Sequence, residues 1–255
     1  MHYSPVLLAA VPVTGFVAGF VNTLAGSGSL VTLPMLILLG LPANVANGTN
    51  RVGILLQNSV AVATFKRHGA LDGRGSVELI VPAVLGAVVG ASLAVDLDET
   101  VLRRAIAVLM LIMLGVVVWR PSRWLEKRDT RHGARVWIQA PVFFAIGAYG
   151  GFIQAGVGVF LLAGLVLGAG YDLVKANAIK NLIVLVFTVP ALAVFIVNEQ
   201  VRWDVGLLLA VGNGAGAWCA ARIAVVRGAR FVHWVLIVIL LAASIALLLD
   251  LRVPA

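Results

Sequence analysis

Of 255 residues, 61% are hydrophobic and 12% charged, with a mean hydropathy of +1.04. Soluble domains carry about 25% charged residues, so a soluble globular chain is excluded and an integral membrane protein is expected. The formal charge of +8 sits mostly in short loops, where it reads as orientation in a bilayer and not as a nucleic-acid surface.

The chain opens on MHYSPVLLAA, with no Lys or Arg ahead of its apolar run, so a cleavable signal peptide is not expected. Residues 5–40 are nearly uncharged, and one helix of that length would measure about 54 Å at 1.5 Å per residue against a hydrocarbon core of about 30 Å. The block must fold back, and the cluster Gly26-Ser27-Gly28-Ser29 is the expected break. Apolar segments near 45–65, 76–95 and 101–119 follow, and then the basic stretch 120–135, with six Lys/Arg against Glu126 and Asp129. The pattern restarts with 136–170, again too long for one pass, then 174–197, 203–221 and 230–249. Cys219, the single cysteine, lies inside an apolar segment and excludes an intrachain disulfide or a thiolate metal cluster.

The two halves match at an offset of 130 residues: Gly26 on Gly156, Gly28 on Gly158, Gly40 on Gly170, Ala46-Asn47 on Ala176-Asn177, and Gly86 on Gly216. A single glycine pair reads as ordinary close helix packing; the shared offset reads as duplication. The expectation is one all-α polytopic domain of two repeats, about 5–119 and about 136–250, joined by the linker 120–135. Each repeat would be an interrupted or re-entrant helical hairpin followed by three transmembrane helices.

Loop charge orients the halves. Lys66, Arg67 and Arg74 against Asp72, the linker at net +4, and Arg222, Arg227 and Arg230 mark cytoplasmic loops. Loops 96–104 and 198–204 are each net −1 and face outward. That pattern holds only if each long opening block starts and ends on one side, which inverts the halves relative to each other and puts both termini on the periplasmic side.

Inverted repeats with interrupted helices point to a secondary transporter with its site at the repeat interface. At such breaks, free backbone N–H groups and the positive end of a half-helix favour an anion. The expected substrate-binding residues are Gly26, Ser27, Gly28 and Ser29 with Asn47, Thr49, Asn50 and Arg51 in the first half. Gly156 and Gly158 with Asn177, Lys180 and Asn181 supply the second. Arg51 and Lys180 stand one residue apart under the offset, so a pseudo-twofold puts two cations about one site, and a guanidinium grips an oxyanion through two parallel hydrogen bonds. The bland reading is that both cations snorkel to the interface, that the asparagines are interhelical glue, and that the serines are small packing residues. Asn22 and Gln154, just ahead of the breaks, are weaker candidates.

All eleven acidic residues fall in loops or at segment ends, Glu78 being nearest to an apolar interior. A carboxylate proton or sodium relay therefore has no obvious residue. No HExxH motif or intramembrane aspartate pair is present, so neither a metal nor a cofactor is expected. Ala25-Gly26-Ser27-Gly28 with His233 is a poor match to an intramembrane serine protease, and the enzyme reading is set aside. His2, His68 and His132 are terminal or in loops and read as solvated.

At Gly19-Phe20, Leu24-Ala25-Gly26-Ser27-Gly28-Ser29, Pro34, Gly40-Leu41-Pro42, Ala46 and Gly48-Thr49-Asn50, the chain resembles the TauE/SafE sulfite exporter family. A weaker second copy stands at Gly150-Gly151-Phe152 and Gly156-Val157-Gly158, without the serines. The resemblance implies a bacterial multi-pass inner-membrane permease of duplicated topology, linked to sulfite, sulfonates and related organic anions. The function expected is export of a small sulfur-containing anion bound between the repeats, with a passive anion channel, a carrier for another organic acid anion, or a scaffold without flux as alternatives. The expected partners are that anion and the lipid bilayer, with a homodimer left open and no nucleic acid.

Overall fold

The computed structural model describes residues 5–71, 77–96, 101 and 136–250; every regular element among them is a helix. The expected segment at 101–119, beyond Val101, and the linker 120–135 lie outside the described residues. The first long block is broken where its glycines stand. Helix α1 (Pro5–Ala25) ends at Gly26, whose φ of +78° is left-handed and suits a residue without a Cβ. Helix α2 (Ser29–Leu38) leads away from the break. Then come α3 (Ala43–Arg67) and α4 (Val77–Val95).

The second block breaks likewise. Helix α5 (Val136–Phe152) stops short of Gly156, and α6 (Val157–Ala163) continues as a π turn over Gly164–Gly168. Helices α7 (Leu173–Val197) and α8 (Trp203–Asp250) complete the described chain, α8 being interrupted by Gly228 at φ 73°. The segments expected at 203–221 and 230–249 therefore join through one left-handed residue. Among the described residues, four stretches are long and apolar enough to cross a membrane: Leu8–Ala25, Glu78–Val95, Leu173–Val197 and Trp203–Gly228. With 10 residues, α2 is about 15 Å long, half a hydrocarbon core.

Helices α3 and α7 have the same length, 25 residues, and their boundaries lie 130 apart. The left-handed residues that frame them obey the same offset: Gly40 with Gly170, and Gly69 with Glu199, a non-glycine at φ 56°. Ahead of Gly40 the register changes. The break partner of Gly26 is Gln154, left-handed at φ 53° and 128 residues on, and α2 and α6 also start 128 apart. The second half thus holds two extra residues between its break and Gly170, in the stretch that winds into the π turn; a π turn is a common way for a helix to absorb an insertion.

Packing is exchanged between the halves. Helix α1 lies on α8, and α4 lies on α5. A Cβ at Gly212 or Gly216 would collide with the carbonyls of Pro12 or Phe16, and one at Gly86 or Gly90 with those of Phe144 or Ala148. Small residues allow this backbone approach where hydrocarbon supplies no hydrophobic drive between helices. Helix α3 packs on both α7 and α8. Val13, Leu85, Leu207 and Val211 stay exposed, as expected where lipid is the solvent.

Candidate functional site

The two breaks touch. The Gly158 N–H donates to the Gly26 carbonyl at 3.3 Å, and a Cβ on either glycine would be driven into the Cα of the other. Beside this contact lies a small cleft with polar walls: Asn22 of α1, Asn58 of α3, Gln154 of the second break, and Lys180 and Asn181 of α7. It has space for about one water-sized molecule. Asn22 turns its Nδ2 to Gln57 Oε1 at 3.1 Å, and its Oδ1 accepts from the Gly28 N–H at 3.3 Å. Gln154 donates to Thr188 Oγ1 at 2.8 Å.

The polar residues at the head of each central helix reach across to the other half's broken helix. Lys180 Nζ donates to the Asn22 carbonyl at 3.0 Å, the Thr23 carbonyl at 2.8 Å and Asn177 Oδ1 at 2.7 Å. Asn177 donates to the Leu24 carbonyl at 3.0 Å. In return, Arg51 donates to the carbonyls of Gly150 and Gly151, and Asn47 to that of Phe152 at 2.8 Å. The Arg51 guanidinium also lies 4.6 Å over the Phe195 ring. A helix leaves its last carbonyls without partners and carries about −0.5 charge there. Each cation meets that demand for the opposite half.

All the site residues expected from the sequence are buried, but they do not converge on one ligand position. Gly26, Gly158, Lys180 and Asn181 line the cleft. Asn50 instead donates to Ser29 Oγ and accepts from Thr32 Oγ1, and Thr49 Oγ1 accepts from the Arg202 N–H. Gly156 supplies the left-handed turn into α6. Ser27 Oγ is buried without a hydrogen-bond partner among the described residues. Arg51 belongs to the α5 end, not to the cleft wall. Asn58, not among the expected residues, joins the weaker candidates Asn22 and Gln154 in the cleft wall; its sequence signal is an uncharged polar side chain standing in an apolar span.

The family model of the sulfite exporter TauE/SafE matches residues 11–247. The chain belongs to the TauE/SafE family. A probable membrane transporter protein (ORF9) of Sinorhizobium is 30% identical over 96% of this chain and 93% of its own. One from Haemophilus influenzae is 27% identical, covering 89% of each chain. YfcA of Escherichia coli K12, also a probable membrane transporter protein, is 27% identical over 97% of this chain and 91% of its own. No solved structure matches significantly.

This TauE/SafE chain is accordingly a multi-pass membrane transporter. Its interior carries an uneven charge. Arg51 and Lys180 are wholly buried, and no acidic residue is among the buried polar residues described. Buried charge is retained only when it is paired or solvated by oriented dipoles, and here the carbonyls at the ends of α1 and α5 supply those dipoles.

Proposed function

We propose that this transporter exports a small sulfur-containing anion, such as sulfite or an organosulfonate, bound beside the contact between its two chain breaks. The observation that carries the reading is the pair of buried cations, Arg51 and Lys180, without a buried carboxylate among the described residues. Lys180 lines the cleft with four uncharged amides, which orient an oxyanion while the ammonium supplies charge. Ser29 with Asn50, and the paired Asn47 and Asn177, hold the breaks in shape around it.

The chain works as one domain of two inverted repeats, each opening on a re-entrant hairpin. Three observations support this: the short α2 and α6, the 130-residue register of α3 and α7, and the contacts exchanged between halves. Transport then proceeds by alternating access, the halves rocking about the glycine contact. A cleft this small favours a carrier over an open pore. The protein sits in a bacterial inner membrane with the basic segments 66–75, 120–135 and 222–230 cytoplasmic, the last expected as a loop but carried within α8, and both termini periplasmic, as positive-inside orientation requires.

Reconstituted vesicles test this. Labelled sulfite or an organosulfonate is expected to exchange against the same unlabelled anion, and Lys180→Met to abolish the exchange. Exchange that is indifferent to Lys180→Met, or large unitary currents in place of exchange, would overturn the reading.

A further inference from the structure

Two residues of the cleft wall, Gln154 and Asn181, carry a buried amide oxygen without a hydrogen-bond partner among the described residues. Asn181 is fully buried. Its Nδ2 donates to the Asn177 carbonyl at 2.7 Å and reaches the Thr23 carbonyl at 3.4 Å. Carbonyls only accept, so turning the amide over would set oxygen against oxygen; the orientation is determined by its neighbours. Oδ1 is thereby left buried, with no hydrogen-bond partner among the described residues. Gln154 differs: its partner is the Thr188 hydroxyl, which both donates and accepts, so that amide can present either end.

The donors of the wall are distributed the other way. Lys180 Nζ has three hydrogens and three partners, Asn22 O, Thr23 O and Asn177 Oδ1. In this conformation it attracts an anion by charge alone. The amide nitrogens of Asn22 and Asn58 each carry two hydrogens and spend one, on Gln57 Oε1 and the Ile54 carbonyl. One hydrogen on each remains to donate.

From this we infer that Asn181 is a specificity-determining residue, an acceptor that selects singly charged oxyanions still carrying an O–H or N–H over fully deprotonated ones. The inference rests on the cleft being the substrate site. Once the halves move apart and widen the one-water space of this conformation, a monoprotonated oxyanion gives its hydrogen to Asn181 Oδ1 and its remaining oxygens to the amide donors. A dianion brings only lone pairs to Oδ1. Among the described residues, Lys180 is the titratable residue lining the cleft; Asn22 of α1, Gly26 at the first break, Asn58 of α3, and Gln154, Gly158 and Asn181 of the second half complete the polar and glycine lining without titrating.

Calorimetric titration of the purified full-length chain in detergent tests this with two ligands, at pH values below and above the second ionisation of sulfite. Methanesulfonate is a monoanion without a donor at both pH values and controls for changes in the protein. Sulfite is expected to bind about tenfold more tightly as hydrogensulfite, the effect of one hydrogen bond. Methanesulfonate should bind weakly at both pH values, and Asn181→Ala should bring hydrogensulfite down to it. Equal binding of sulfite at both pH values, or methanesulfonate binding as tightly as hydrogensulfite, would overturn the role of Asn181 and leave the site reading standing. No binding of either ligand at either pH would sink the site reading itself. The wild-type comparison decides the matter even if Asn181→Ala does not fold.

Discussion

Lys180 and Thr23 are joined across 157 residues of chain: the ammonium of α7 stands 2.8 Å from the last-turn carbonyl of α1. Arg51 of α3 does the same for the end of α5, through Gly150 and Gly151. A broken helix inside a membrane leaves carbonyls that neither lipid nor water satisfies, and here a cation from the opposite half supplies the missing donors.

Removing that clasp should cost stability as well as transport. Lys180→Met deprives the carbonyls of Asn22 and Thr23 of donors, an expected loss of about 2 kcal/mol or more in a detergent unfolding titration. Because Lys180 also bonds Asn177 Oδ1 at 2.7 Å, a cycle with Asn177→Leu should be non-additive by at least about 0.5 kcal/mol. Strict additivity would mean that the two side chains do not act as one unit.

The glycine contact makes a sharper comparison. Gly26 and Gly40 are both left-handed, at φ 78° and 96°, but a Cβ at Gly26 meets the Gly158 backbone while one at Gly40 meets nothing within 4 Å. Gly40→Ala should cost about 1 kcal/mol, the strain of a side chain in that region. Gly26→Ala adds a backbone collision worth about 1–3 kcal/mol more. Equal thermal shifts for the two variants would indicate that the breaks separate without cost.

Gln154 occupies a left-handed position that the first half gives to a glycine, and it is buried in the cleft wall. A non-glycine there stores about 1–2 kcal/mol of strain, and such strain gathers at functional sites. Gln154→Gly releases it and loses the hydrogen bond to Thr188, worth about 1 kcal/mol. Stability should therefore stay near that of the wild type while anion exchange falls. A variant that transports normally would make Gln154 a mere packing residue.

Orientation is testable with cysteines in a Cys219→Ala background. Glu199 and Val226 are both exposed, near opposite ends of the apolar part of α8. Glu199→Cys should react with an impermeant maleimide only from outside intact cells, and Val226→Cys only after the membrane is opened. Reaction of both from the same face contradicts the inverted arrangement.

Much was legible in the residues alone. An uncharged run of 36 residues cannot be one span, so a break was required, and glycine is the residue that takes left-handed backbone without strain. The break at Gly26 and the paired boundaries of α3 and α7 follow from hydropathy and repeated spacing, which are local properties of the chain; the second break, expected at Gly156-Val157-Gly158, falls just ahead of there, because Val157 and Gly158 already belong to α6. The Gly26/Gly156 match, however, marks two left-handed glycines that are not break equivalents, because two extra residues in the second half are taken up before Gly170.

Only the tertiary structure could decide what the buried polar groups touch. From sequence, Arg51 and Lys180 are two cations free to face an anion together; in the fold each is spent on carbonyls of the other half. Asn58, Gln154 and Asn181 are meanwhile brought to one wall from three segments far apart in the chain. Composition and period specify which stretches are helical and buried, because burial in lipid acts on each helix face separately. The partner of a hydrogen bond is set by distance and angle between distant segments, and that information exists only once the two halves have packed.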